Sequence, residues 1–131
     1  MATFVRDYLK NHNANQLIRL IGSKIDKRYT VQIVDESESK FAYILYTDDT
    51  YDFYWVKLWI NWIDEEIVVM SSVIATNDQP ELNTYTLTYG SSIEQLVDFY
   101  NEQMFKVKNS TFKQKEYSII KRKREMDKDF V

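Results

Sequence analysis

The apolar positions change period twice along this chain, dividing it into a helical start, a stranded middle and a helical end. From Thr3 to Lys10, Phe4, Val5, Tyr8 and Leu9 fall at helical spacing. Asn11-His12-Asn13 interrupts that run, because asparagine side chains compete for backbone hydrogen bonds and favour turns. A second helix is expected to follow, capped by Asn15, with Leu17, Ile18, Leu20, Ile21 and Ile25 on one stripe. Gly22 either ends this helix or sits inside it at a cost of about 1 kcal/mol.

At Tyr29 the period becomes two. Val31 and Ile33 alternate with Thr30 and Gln32, and Asp35 to Ser39 forms a polar turn. Phe41, Tyr43 and Leu45 alternate with Ala42, Ile44 and Tyr46 in a second strand, closed by a turn at Asp48-Asp49-Thr50. Tyr51 to Ile63 predicts a long third strand, rich in aromatic and β-branched residues, with a turn at Asp64-Glu65-Glu66. Ile67 to Thr76 makes the fourth strand, and residues 77–81 form a loop with the single proline. Asn83 to Tyr89 sets Tyr85, Leu87 and Tyr89 against Thr84, Thr86 and Thr88, which implies one buried and one wet face. The linking segments are too short for parallel crossovers, so the strands are antiparallel neighbours.

The helical period returns after Gly90. Ser91 and Glu94 make a capping-box pattern ahead of Ile93, Leu96, Val97, Tyr100 and Met104. Thr111 and Gln114 repeat that pattern before a last helix reaching about Lys128. The fold class expected is α+β: an antiparallel meander of four to five strands over about residues 29–89, flanked by N-terminal and C-terminal helices. The length of 131 residues suits one domain, spanning 1–131.

Charge adds an asymmetry that the pattern does not show. Residues 106–131 hold nine Lys/Arg against four Asp/Glu, whereas residues 1–105 hold eight against sixteen. An acidic body thus carries a basic helical tail, expected to pack on the body or on a partner. Phe105, Phe112, Ile119 and Met126 recur every seven residues in this region. If its two helices are continuous, they form a narrow apolar seam facing the body, a second copy or another protein.

Composition removes several kinds of chemistry. Without cysteine there are no disulfides, no thiolate catalysis and no cysteine zinc sites, which fits a reducing cytoplasm. Two glycines cannot build a phosphate-cradling loop. Met1 to Lys10 lacks the apolar core of a secretory signal, and no run approaches about 18 apolar residues, so no membrane partner is expected. The single histidine, His12, sits in an asparagine-rich turn with no nucleophile in view. Asp48, Asp49 and Asp52, or Asp35, Glu36 and Glu38, are acidic enough for a cation but lack the EF-hand spacing and its central glycine. No catalytic group, cofactor or metal is therefore expected.

The third strand is the feature that points to a function. Tyr54, Val56, Leu58, Ile60 and Trp62 form one apolar face. The other face holds Tyr51, Phe53, Trp55, Lys57, Trp59 and Asn61, which is also strongly apolar. A strand covered on one side does not normally read this way. Either the chain's own helices cover both faces, or one face awaits a partner.

Two main readings follow. The first is a non-enzymatic protein-interaction module, an inhibitor carried by a phage or other mobile element and aimed at a host nucleic-acid-handling protein, of the anti-CRISPR or anti-restriction type. It would act by surface binding, or by acidic clusters imitating phosphates. Usage heavy in Ile, Asn, Lys and Tyr and poor in Ala, Gly and Pro resembles genes of AT-rich mobile elements. The candidate partner-binding residues are Tyr51, Phe53, Trp55, Lys57, Trp59, Asp48, Asp49, Asp52, Lys121, Arg122, Lys123 and Arg124. The second reading is a single-stranded nucleic-acid-binding module that stacks bases on the aromatic strand and holds phosphates with the basic C-terminal helix. The expected partner is another protein, with nucleic acid and a second copy (a homodimer) as the other candidates.

Overall fold

The computed structural model describes residues 3–34, 42–47, 54–74 and 80–128, with the backbone course alone for residues 80 and 111–128. Its elements run α1 (Val5–Leu9), α2 (Ala14–Lys24), β1 (Val31–Val34), β2 (Tyr43–Thr47), β3 (Trp55–Asn61), β4 (Glu66–Ile74), β5 (Pro80–Thr88) and α3 (Ile93–Lys128). The five strands form one antiparallel sheet in the order β1-β2-β3-β4-β5, the meander that the period-two segments predict. Pro80 opens β5, an edge strand, where its missing N–H removes no ladder bond from the sheet centre.

Both long helices begin on reciprocal caps, each displaced from the position the sequence suggests. Asn13, not Asn15, caps α2: its Oδ1 accepts from the Gln16 amide at 2.8 Å, and Gln16 Oε1 accepts from the Asn13 amide at 2.9 Å. Ser92 and Gln95, not Ser91 and Glu94, make the equivalent pair for α3, at 3.1 and 2.9 Å. Tertiary pairing selects that register. Phe4 forms an antiparallel bridge with Ser92, the Val5 amide donates to Ser91 O at 3.0 Å, and the Ile93 amide donates to Thr3 O at 2.8 Å. The N-terminal segment thus clamps the start of α3.

Gly22 lies inside α2 because β1 approaches closely there. A Cβ at this position would collide with Ile33 Cδ1 and stand 3.2 Å from its Cγ1. The third strand is shorter than expected. It ends at Asn61, and Trp62 belongs to the turn of residues 62–65 rather than to the inner face. Asn61 and Asp64 close this turn, with Asn61 Nδ2 donating to Asp64 Oδ2 at 2.9 Å. Glu65 completes it in the left-handed region at φ 51°. The two C-terminal helices are one. α3 runs unbroken through Asn109-Ser110-Thr111 for 36 residues, roughly 54 Å. Ser110 keeps its hydroxyl satisfied by donating to Lys106 O at 2.9 Å, so it does not interrupt the helix.

The core lies between one face of the sheet and the helices. Ile44, Tyr46, Tyr54, Val56, Leu58, Ile60, Ile67 and Val69 meet Leu17, Ile18 and Ile21 of α2 and Leu96, Tyr100, Met104 and Val107 of α3. Tyr100 is fully buried, and its hydroxyl donates to Val56 O at 2.9 Å, with Ile44 O at 3.4 Å. Burial raises the pKa of this phenol well above the ordinary tyrosine range, and the Tyr46 amide, which favours the phenolate, opposes this only in part.

Replacing Tyr100 by phenylalanine is expected to cost about 1–2 kcal/mol and lower Tm by roughly 5 °C in a thermal melt. The proton is held more tightly in the folded state. Its contribution is therefore complete below about pH 10, where the unfolded phenol titrates, and is lost as pH rises further. Tyr100→Phe should flatten the fall in stability above pH 10 relative to the parent. An equally steep fall in both would show that this phenol is not the responsible group.

Candidate binding surface on the open sheet face

Antiparallel registration aligns the second face of the sheet into rows of side chains. Tyr43, Trp59, Val68 and Thr86 share one row, Leu45, Lys57, Met70 and Thr84 the next, and Thr47, Trp55, Ser72 and Leu82 the third. The helices contact the sheet through the opposite, core face, to which every sheet residue of the buried cluster on β3 belongs. Trp55, Lys57, Trp59, Tyr43, Leu45 and Met70 are half-buried, whereas Tyr54, Val56 and Leu58 between them are completely sealed. Neighbouring side chains on the sheet contribute to this partial burial: Lys57 Nζ stands 4.4 Å from the Tyr43 ring centroid and 5.4 Å from that of Trp59. The ammonium group is thus held over two aromatic faces, and its alkyl stem covers apolar surface. Beside it, Leu45, Thr47, Trp55 and Lys57 line an open depression of about 380 Å³.

This surface is close to electrically neutral. Of its described residues, Lys57 and Glu66 carry charge, at positions two rows apart. Among the described residues no carboxylate lies within ion-pair distance of Lys57. The Thr-rich outer face of β5 is exposed, and Leu82 on the same strand is 58% exposed. At the far end of β3 the turn presents Trp62, 60% exposed, and Ile63, 73% exposed.

Three of the sequence-derived candidates, Trp55, Lys57 and Trp59, stand together on this face. Tyr51, Phe53, Asp48, Asp49 and Asp52 lie outside the described residues, as do residues 35–39, where the first polar turn is expected. Lys121, Arg122, Lys123 and Arg124 fall on the C-terminal half of α3. The body of that helix crosses the core face, so its packed portion and the aromatic rows lie on opposite sides of the sheet. Of the apolar seam, Phe105 is 50% exposed, whereas its neighbours Met104 and Val107 are buried. The core-facing stripe of α3 therefore bypasses Phe105, while the side chains of Phe112, Ile119 and Met126 lie outside the described residues.

The acidic turn after β3 is occupied locally. Asp64 bonds Asn61, and Glu65 lies 3.9 Å from Arg6, an exposed pair of small energetic weight. His12 stacks on Tyr8 at 4.0 Å, with Nδ1 3.0 Å from Tyr8 O, so its ring is engaged in the turn between α1 and α2. Among the described residues no three His, Cys, Asp or Glu side chains gather as a metal site, and no helix is long and apolar enough to cross a membrane. A second depression of about 260 Å³ lies between α1, α2 and the start of α3, with Lys24 and Glu94 on its rim.

Sequence reasoning did not single out Tyr43, Leu45, Met70, Trp62 or Ile63. The first three share the face of Trp55 and Trp59 through strand register, which one strand's pattern does not supply. The signal for the last two was present: Asn61 and Asp64 bracket them at turn spacing, but the apolar run concealed it. No family model matches the chain, and comparison with curated proteins and with solved structures also finds no match.

Acrylamide quenching of tryptophan emission checks this arrangement. Trp62→Phe should remove the most accessible component and leave Trp55 and Trp59 partly quenchable. Emission that resists quencher entirely after that substitution would mean that the open face is covered.

Proposed function

We propose that the chain is a non-enzymatic binding protein whose partner, another protein, seats on the open sheet face. The observation that supports this most directly is the group of Trp55, Trp59 and Tyr43 standing half-exposed around Lys57 on a face with no described helix over it. Large aromatic side chains dominate binding energy at protein interfaces, where they desolvate well and lose little conformational entropy. The depression beside Trp55 offers a place for one apolar anchor from the partner. Action by covering a surface of the partner requires nothing further from this chain, which fits the reading of an inhibitor that works by occupancy.

Near-neutrality separates this reading from base stacking at the same face. A groove that tracks a phosphate backbone needs several cations, and the described residues of this face supply one lysine.

Affinity capture from a lysate of the source cells, using the folded chain as bait, tests the proposal. Trp55→Ser and Trp59→Ser should each weaken retention of the partner by about 30-fold or more, while Lys10→Ala, distant on α1, leaves it unchanged. Melting curves confirm that the variants remain folded. Retention unaffected by both tryptophan substitutions would remove the open face as the binding surface.

A further inference from the structure

β5 is an outer strand of the sheet, and its free edge lacks the features that normally protect one. Its nine pairs with β4, from Ile74↔Pro80 to Glu66↔Thr88, run in unbroken register, so no bulge turns the strand away. Every second residue of such a strand points its N–H and C=O outward. Among the described residues, no backbone group of Leu82 to Leu87 bonds outside the sheet, and the N-terminal segment meets Tyr89, Ser91 and Ser92 instead. Charge is the commonest protection of an edge, yet between residues 81 and 88 Glu81 alone is charged. The other outer strand, β1, is blunted by its length of four residues. Leu82, 58% exposed, and Tyr85, 39% exposed, flank the β5 edge on opposite faces. Tyr85 stands edge-on to Phe99 of α3 at 5.4 Å. On the same side of α3 as Phe99, Glu102 and Lys106 pair at 3.3 Å, so this flank is locally neutral.

We infer that β5 pairs antiparallel with β5 of a second copy of this chain, about a two-fold axis that passes through the sheet at Tyr85. Self-complementarity favours a second copy over an unrelated strand. The axis sets Tyr85 opposite Tyr85, Thr84 opposite Thr86, Asn83 opposite Leu87 and Leu82 opposite Thr88. Aromatic and β-branched residues placed opposite one another are favourable cross-strand pairs. No like charges meet, because Glu81 lies beyond the paired segment at either end. Pro80, which cannot donate to a ladder, also falls outside it. Each edge satisfies the other, and the short β1 is left outermost on both sides, so the assembly closes at two copies. The axis also brings the open aromatic faces of both copies to one side of a continuous sheet. Trp55, Lys57 and Trp59 take no part in the contact, which stands apart from the open-face reading.

Sedimentation equilibrium of the full chain tests the inference. The expected result is a passage from the 15.8 kDa monomer to twice that mass as concentration rises from about 1 to about 200 µM, with Kd on the order of 10 µM. The double variant Thr84→Lys/Thr86→Lys sets two pairs of cations opposite one another across the axis and should weaken association about tenfold or more. It does so although two added cations bring the formal net charge from −3 to −1 and lower general repulsion. Thr84→Glu/Thr86→Glu should weaken association similarly, and an equimolar mixture of the two double variants should restore it. Trp55→Ser should leave it unchanged. A monomer at about 200 µM, equal association by the parent and both double variants, or no recovery on mixing would overturn the inference. Both threonines are exposed, and recovery on mixing separates lost edge pairing from lost folding.

Discussion

The structure depends on the sealing of one side of the sheet, with β3 at its centre, beneath two helices. Tyr54, Val56, Leu58 and Ile60 alternate onto a single face, and none can remain in water without forfeiting about 1.5–3 kcal/mol of side-chain burial. α3 packs over them while α2 covers β1 and β2 beside it, and Tyr100 fixes the contact by reaching between β2 and β3 to the carbonyls of Ile44 and Val56. Because that hydroxyl bonds backbone rather than a side chain, it ties the helix to the ladder itself.

The same sealing creates the candidate binding surface. Pleating sends every second residue of β3 away from the helices, so Trp55, Lys57 and Trp59 emerge together wherever the intervening residues are buried. Helices precede and follow the sheet, and both sets return to one side. The bridge between Phe4 and Ser92, with the bond from the Ile93 amide to Thr3 O, draws the N-terminus against the start of α3 and commits both to the core face. The aromatic rings are left to shelter one another, with Lys57 spread across two of them. A partner would find Tyr43, Lys57 and Trp59 already in contact with one another, which lowers the entropic cost of binding.

Charge is distributed over a different part of the molecule from the aromatics. The open face is nearly neutral, whereas the cations gather at the corner after α2 and along α3. Lys27 and Arg28 are far from Lys108 in the chain, and Tyr29 and Asn101 bring them together. A composition count shows a basic tail on an acidic body, but not that Arg28 and Lys108 meet over one tyrosine ring.

Much of the architecture was readable in the residues. Alternation from Val31 to Thr88 reports a backbone property, the two-residue repeat of a strand, and the short connections between strands force antiparallel neighbours. The helical stripe from Ile93 to Met104 is equally local. The capping positions were not, because Ser91/Glu94 and Ser92/Gln95 satisfy the same pattern and pairing with Phe4 decides between them. The turn at Trp62 was hidden because apolar β-formers occupy it, and the continuity of α3 was hidden by an Asn-Ser-Thr run that a long helix tolerates. Which side of the sheet the helices would take could not be read at all. Periodicity specifies that β3 has two faces and what each contains, but coverage is settled by contacts between residues dozens of positions apart. Only the assembled chain could decide that Trp55 and Trp59 face outward.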